Sequence, residues 1–228
     1  EPYRRQRQMC IRDRCNPIKS TKMKKKLIAL ISFLCYIICW VQAADEHYYF
    51  KNLSIQDGLS QTTVNAIIQD KKGFMWFGTK GGLNRYDGML FRNFKHDMTD
   101  NHSLGNNFVT CLYQDNNGNI WVGTDAGVYI YYPAREIFVP FNLQSKENTQ
   151  IDRTVSAISG DKGGRVWIAV ETQGLFCYEP QKEQLHNYTL NSFSANVQSV
   201  TSDNSGTIWV GFYGSGLFLS LIHISEPT

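Results

Sequence analysis

The chain has 228 residues, 42% of them hydrophobic and 13% aromatic, with 23 Lys and Arg against 20 Asp and Glu for a formal charge of +3. The charge is unevenly placed: ten basic residues precede residue 27, while residues 44–218 hold 13 basic and 17 acidic residues, a net −4. That segment has no basic stripe for a phosphate backbone, which excludes nucleic acid as its partner. Its two cysteines, Cys111 and Cys177, exclude a disulfide framework and read as buried free thiols.

The two ends of the chain are related at the level of DNA. "LSLIHIS", Leu219–Ser225, can be written CTG TCT CTT ATA CAC ATC TCC, and the reverse complement of its first bases translates as Met-Cys-Ile-Arg-Asp-Arg or -Ser. "MCIRDR" stands at Met9–Arg14. Both ends resemble the end sequence of a transposase-made sequencing library, with "RRQRQ" and "SEPT" resembling its flanking adapters. Residues 1–14 and 219–228 are therefore expected to be adapter-derived and residues 15–22 to be upstream read-through, with 1–22 disordered. The natural protein is expected to continue beyond Thr228.

Met23 opens a secretory signal pattern. Lys24, Lys25 and Lys26 precede the apolar run "LIALISFLCYIICW", Leu27–Trp40, and "VQA" offers a small-residue cleavage site. The run has 14 residues, short of the roughly 20 a span needs. Cleavage is expected near Ala43, with Lys24–Trp40 at most a loose helix; a retained anchor is the alternative.

A motif then recurs four times. Asp70, Asp115, Asp161 and Asp203 are each followed after three residues by Gly73, Gly118, Gly164 and Gly206, and after six by Trp76, Trp121, Trp167 and Trp209. A second glycine follows the tryptophan by six or seven residues: Gly82, Gly127, Gly174 and Gly216. Tyr86, Tyr131 and Tyr178 come four residues later, where the fourth copy has Ser220. The Asp-to-Asp periods are 45, 46 and 42 residues. Asp and Gly at this offset suit a type I turn closed by a left-handed glycine, a three-residue hairpin loop with a bulge. The strands before the turns are "TTVNAIIQ", "FVTCLYQ", "TVSAISG" and "NVQSVTS". Those after are "FMWFGT", "NIWVGT", "RVWIAV" and "TIWVGF", apolar on both faces and so lying between layers. Third strands follow at "LNRYD", "VYIYY" and "LFCYE", and fourth strands at "LFRNF", "IFVPF" and "LHNYT". No helical period appears after the signal. Four short antiparallel strands per repeat predict an all-β fold, an incomplete β-propeller of about four blades over residues 44–218.

"LSIQDGLSQTTVNAIIQDKKGFMWFGTKGGLNRYDG" and "SLGNNFVTCLYQDNNGNIWVGTDAGVYIYYP" resemble the two-component-regulator propeller family, the periplasmic sensor regions of Bacteroidetes hybrid two-component systems. The resemblance covers about Phe50 to Phe218. Ala169-Val170 and Gly211-Phe212 depart from its Gly-Thr, a change expected to leave the turn chemistry intact. The resemblance implies a periplasmic propeller that senses an oligosaccharide. It also implies a membrane span downstream, a homodimer, and a histidine kinase in the parent protein.

The residues themselves point to no catalytic, metal or cofactor site. His96, Asp97, Asp100 and His102 in "KHDMTDNHS" have metal-ligand types but read better as a solvated loop between blades. Asp115-Asn116-Asn117-Gly118 is too short for a calcium loop. Phe212 and Tyr213 could stack on a sugar, though packing between blades is the commoner use. No phosphate loop or nucleophile elbow occurs. The chain is therefore expected not to be an enzyme in itself. The alternatives are a secreted propeller enzyme of lyase or quinoprotein type, and an extracellular interaction scaffold.

Overall fold

The computed structural model describes residues 18–41, 48–144, 150–188 and 196–220. It divides into two units, Glu1–Lys51 and Asn52–Thr228.

The first unit contains helix α1, Ile18–Val41. It corrects the expected disorder at residues 18–22, which are helical; residues 1–17 lie outside the described residues. No Gly or Pro interrupts 18–41, and the lysines and leucines along it are good helix formers. Leu27, Ile28, Leu30, Ile31, Phe33 and Leu34 are all exposed. No helix among the described residues is long and apolar enough to cross a membrane.

The second unit is all-β, an arc of four propeller blades. Blade 1 comprises β1 (Val64–Gln69), β2 (Met75–Thr79), β3 (Gly82–Tyr86) and β4 (Phe91–Phe94). Blade 2 comprises β5 (Val109–Gln114), β6 (Ile120–Thr124), β7 (Gly127–Tyr132) and β8 (Ile137–Pro140). Blade 3 comprises β9 (Val155–Gly160), β10 (Val166–Val170), β11 (Gly174–Glu179) and β12 (Gln184–Tyr188). Blade 4 shows three strands among the described residues: β13 (Val197–Ser202), β14 (Ile208–Phe212) and β15 (Gly216–Leu219). Each sheet is an antiparallel meander in chain order. Pairing in blade 4 runs past Phe218, since Ser220 exchanges hydrogen bonds with Ile208 through its backbone N–H and its side chain. A 3-10 turn at Ile55–Asp57, capped by Ser54, precedes the first blade and had no periodic signal to announce it.

Alternation along the second strands explains the stacking. Trp76 packs on the next blade with Val109 and Leu112, while Ile120 and Val122 of that next blade face back toward Trp76. Trp121 meets Val155 and Ile158 in the same way, and Trp167 meets Val197 and Val200. Strands β6 and β10, apolar on both faces, are buried along their whole length. The glycine two residues after the tryptophan lets the neighbouring blade approach: a Cβ on Gly78 would lie 2.6 Å from Val109 Cγ1.

A second device joins the blades. In each first strand one residue is bulged out of register with the second strand, at Asn65, Thr110, Ser156 and Gln198. The bulge turns the polar side chain toward the following blade. Asn65 Nδ2 donates to Val109 O (2.8 Å), Thr110 Oγ1 to Val155 O (2.5 Å) and Ser156 Oγ to Val197 O (2.5 Å).

The departures at Ala169-Val170 and Gly211-Phe212 do change a turn, contrary to the expectation from sequence. In blades 1 and 2 the buried Thr79 and Thr124 hydroxyls donate to Gly82 O and Gly127 O and accept from Gly81 N and Ala126 N, closing two-residue loops. Val170 and Phe212 carry no hydroxyl. Their loops hold three residues between the paired ends, Val170 with Gly174 and Phe212 with Gly216.

The outer faces of the arc are bare. Val109, Val155 and Val197 are 0% exposed, but their counterpart Val64 in blade 1 is 37% exposed. Leu112, Ile158 and Val200 are buried, whereas Ile67 is 58% exposed. At the other end Leu83, Val128 and Leu175 are buried and Leu217 is 66% exposed. Burying a Leu or Ile side chain is worth about 1.5–3 kcal/mol, so these two faces forgo several kcal/mol. Residues 44–218 expressed alone should therefore self-associate, and the double variant Ile67→Glu, Leu217→Glu should shift the population toward monomer. Analytical ultracentrifugation reads this directly. A wild-type segment that sediments as a monomer and melts in one sharp transition would mean that the bare faces need no partner.

Candidate functional site

The four Asp turns share one geometry. In the first, Asp70 Oδ1 accepts from the backbone N–H groups of Lys72 (2.9 Å) and Phe74 (3.0 Å), and Oδ2 accepts from Trp76 Nε1 at 2.8 Å. The chain closes through Gly73 N to Asp70 O at 2.9 Å, with Gly73 at φ +92°. Asp115, Asp161 and Asp203 hold Trp121, Trp167 and Trp209 at 3.2, 3.0 and 2.9 Å. The Asp-Gly turn and the two-sided strand were legible in the sequence. The indole-carboxylate bond was not anticipated, although the constant six-residue offset was its signal. The sixteen repeat residues thus build the scaffold.

Two of these carboxyls are held below the ordinary aspartate range. Burial pushes Asp161 upward, but hydrogen bonds from Trp167 and Arg165 outweigh it, and the Arg165 guanidinium at 2.6 Å adds to them. Asp203 is lowered chiefly by hydrogen bonds from the Ser205 hydroxyl and the Trp209 indole. A depressed folded-state value stabilises the fold above the unfolded value near 3.8, and that stabilisation is lost as the pH falls through the folded value. The melting temperature should therefore fall steeply below about pH 4. Asp161→Ala strands the Trp167 indole and Arg165 donors and should cost about 3 kcal/mol at neutral pH, with a shallower acid limb. Thermal melts followed by circular dichroism from pH 7 to 2 check both; a variant melting within a degree of wild type would refute the assignment.

The residue after each Asp lies at the seam between blades, and a groove of about 290 Å³ lined by Lys71, Gln114 and Asn116 lies between blades 1 and 2. Lys71 of blade 1 crosses to blade 2: its Nζ donates to Asp115 O (3.3 Å) and Asn116 O (2.9 Å), and its backbone N–H to Gln114 Oε1 (2.9 Å). Lys162 of blade 3 crosses to Asn204 O of blade 4 in the same way. In blade 2 the position holds Asn116, whose Nδ2 would lie 3.8 Å from a Cβ placed on Gly164 of blade 3. A groove of about 490 Å³ opens there between blades 2 and 3. Tyr132, Tyr178 and the edge of Trp121 form its aromatic wall, and Asn116, Asn117 and Gln181 its polar rim. Trp121 packs against Tyr178 with ring centroids 5.7 Å apart and planes tilted by 46°. Sequence reasoning named Trp121 and Tyr178 only as repeat residues and Asn116 and Asn117 only as a turn, and it missed Tyr132 and Gln181, since the groove forms only where two repeats meet across a seam.

The other candidates behave as follows. His96 Nδ1 lies 3.1 Å from Leu104 O, Asp97 accepts from Thr99, and Asp100 accepts from the His102 backbone N–H. They act within their own turns, and among the described residues no three His, Cys, Asp or Glu side chains converge on a metal position. Phe212 is buried against Phe218 at 4.8 Å, while Tyr213 is exposed, so the pair does not form one surface. Burial pushes the Cys111 and Cys177 thiols up to about 12, which makes both poor nucleophiles at neutral pH.

Comparison with known proteins places the repeat. The family model described as two component regulator propeller matches residues 58–81 and 103–126, the first two blades up to the Gly-Thr hairpins. The chain is 38% identical over 77 residues to a histidine kinase P4 of Formosa agariphila, a match covering 34% of this chain and 5% of that protein. In structure it is similar to the extracellular domain of a putative hybrid two component system of B. thetaiotaomicron, with TM-score 0.69 and 24% identity over 76% of this chain and 25% of that one. It is also similar to a catalytically inactive virginiamycin B lyase of Staphylococcus aureus solved with quinupristin, with TM-score 0.53 and 12% identity over 82% of this chain and 62% of that one. At these identities the structural likenesses show the propeller fold. The chain spans a small part of the kinase and about a quarter of the extracellular domain.

Proposed function

Because this chain carries two-component regulator propeller repeats, we propose that it is part of the periplasmic sensing propeller of a hybrid two-component histidine kinase. The carrying observation is the repeat match at residues 58–81 and 103–126, reinforced by the kinase relative and by the extracellular location of the structural neighbour. Export by the segment Met23–Ala43, with cleavage near Ala43, agrees with that location. On this reading the ligand is an oligosaccharide, the parent protein is a homodimer, and a membrane span downstream joins the propeller to a cytoplasmic kinase. A ligand shifts such a receptor only through a difference in affinity between two states of the dimer. The lyase likeness, at 12% identity, carries fold alone and no reaction.

Calorimetry on the complete ectodomain of the parent protein against a broad glycan panel tests the reading. Saturable heat with one glycan class, accompanied by a change in kinase autophosphorylation in the intact receptor, is the expected result. Silence across the panel would move the assignment to an extracellular scaffold.

A further inference from the structure

We infer that residues 48–51 are the outermost strand of the blade that stands before blade 1 in the complete ring, and that a later part of the parent polypeptide supplies the three inner strands of that blade. The passages from blade 1 to 2 and from blade 2 to 3 follow one rule. Each leaves an outermost strand at an aromatic residue and buries an aliphatic one ten residues later: Phe94 is followed by Leu104, and Phe141 by Ile151. The aromatic residue packs on the tryptophan of the blade it leaves, Phe94 on Trp76 at 5.9 Å and Phe141 on Trp121 at 5.2 Å. Tyr188 packs on Trp167 of blade 3 in the same way, at 5.7 Å. The aliphatic residue fills the seam ahead, Leu104 beside Trp76 and Leu83, Ile151 beside Trp121 and Val128.

Blade 1 is entered along the same path, although no blade precedes it among the described residues. Leu59 is buried and stands eleven residues before Asp70, as Leu104 stands eleven before Asp115. The entry segment is tied to the outermost strand of the blade it enters: Asn93 Nδ2 donates to Gly58 O at 2.9 Å, as Phe138 N donates to His102 O at 2.9 Å in blade 2. It also lies on the uncovered face of blade 1. Ser60 N donates to Asn84 Oδ1, and Asn84 stands opposite Phe77, which stands opposite Ile67, so the three share one face of the sheet. Nine residues before Leu59 comes Phe50, followed by Lys51 as Phe94 is followed by Lys95. Phe50 therefore holds the place of a tryptophan-packing aromatic residue, yet it is 97% exposed. The run Tyr48-Tyr49-Phe50 has the aromatic composition of a strand, and Lys51 is the charged residue expected on an outer edge.

The partner this defines is a three-stranded meander with a tryptophan on its second strand and a free edge on its third. Residues 48–51 add to that edge through main-chain hydrogen bonds, and Phe50 covers the tryptophan. The blade so completed covers Ile67 and closes the ring, which removes the open ends of the arc. Both ends of the propeller then meet in one blade, and closure waits until the later strands have been made.

Hydrogen exchange on the complete ectodomain of the parent protein and on the 228-residue chain tests this. The amides of residues 48–51 should exchange at least about a hundredfold more slowly in the ectodomain than in the shorter chain. Phe50→Ala should lower the melting temperature of the ectodomain as Phe94→Ala does, and leave that of the 228-residue chain unchanged. Equally fast exchange of these amides in both proteins would overturn the closing strand, and this comparison of wild-type proteins decides even where Phe50→Ala prevents the ectodomain from folding. A folded Phe50→Ala ectodomain that melts as wild type does would overturn the role of Phe50. Protection of residues 48–51 in the 228-residue chain itself would place the strand on a blade already present, in a second copy where protection rises with concentration, and would overturn the later-strand partner.

Discussion

The hydrogen bond from the tryptophan indole to the aspartate six residues earlier is the constraint on which the rest of the unit depends. One carboxylate does two things at once. Its Oδ1 accepts from backbone N–H groups inside the turn, and its Oδ2 reaches the indole on the strand that leaves the turn. The turn conformation and the position of the largest side chain in the blade are thereby locked together. Because the indole's one polar atom is satisfied, the whole ring can be buried against the next blade. Trp76 and Trp167 are each almost completely buried as a result. The same bond in all four turns gives four copies of one ring orientation, and so four blades that stack with one geometry.

Stacking in turn demands close approach. The glycine two residues beyond the tryptophan exists for that approach: a Cβ on Gly123 would sit 2.3 Å from Cys111 Sγ and 3.0 Å from Val155 Cγ1. Blade 3 places Ala169 there, and the residue is fully buried. The bulged residues Asn65, Thr110 and Ser156 then tie successive blades through carbonyls near the same contact. Apolar packing supplies the energy of the seam, and these directional bonds fix its register. Variation is left to the turns, where the residue after the aspartate is lysine in blades 1 and 3 and asparagine in blades 2 and 4.

Division of labour follows from this arrangement. The repeated residues carry the scaffold, and any recognition falls to positions that differ between repeats. Blade 2 shows the contrast most clearly. Asp115, Gly118 and Trp121 hold their places as in every other blade, while Asn116 and Asn117 on the same turn face an open groove. The arc also has two unlike ends. Val64 and Ile67 are uncovered at one, and Leu217 at the other, so each end offers apolar surface shaped to receive a further blade.

The strands, the Asp-Gly turns, the two-sided burial of the second strands and the blade count were all legible in the linear order, because each is set by contacts a few residues apart and repeats with a fixed period. The mildly acidic charge and the absence of a disulfide framework were legible for the same reason, being properties of composition. What the tertiary structure decided are the features that need two repeats at once. The bulge-to-carbonyl ties join residues 41 to 45 positions apart. The lysine staples join Lys71 to Asn116 and Lys162 to Asn204, and the Arg92–Glu136 pair bridges blades 1 and 2. The groove at the middle seam joins Asn116 and Tyr132 of one repeat with Tyr178 and Gln181 of the next. Local sequence dictates how a blade folds because its hydrogen bonds close within it. Which polar groups are left over to meet a ligand depends on how the next blade lies against it, and that is settled only by packing.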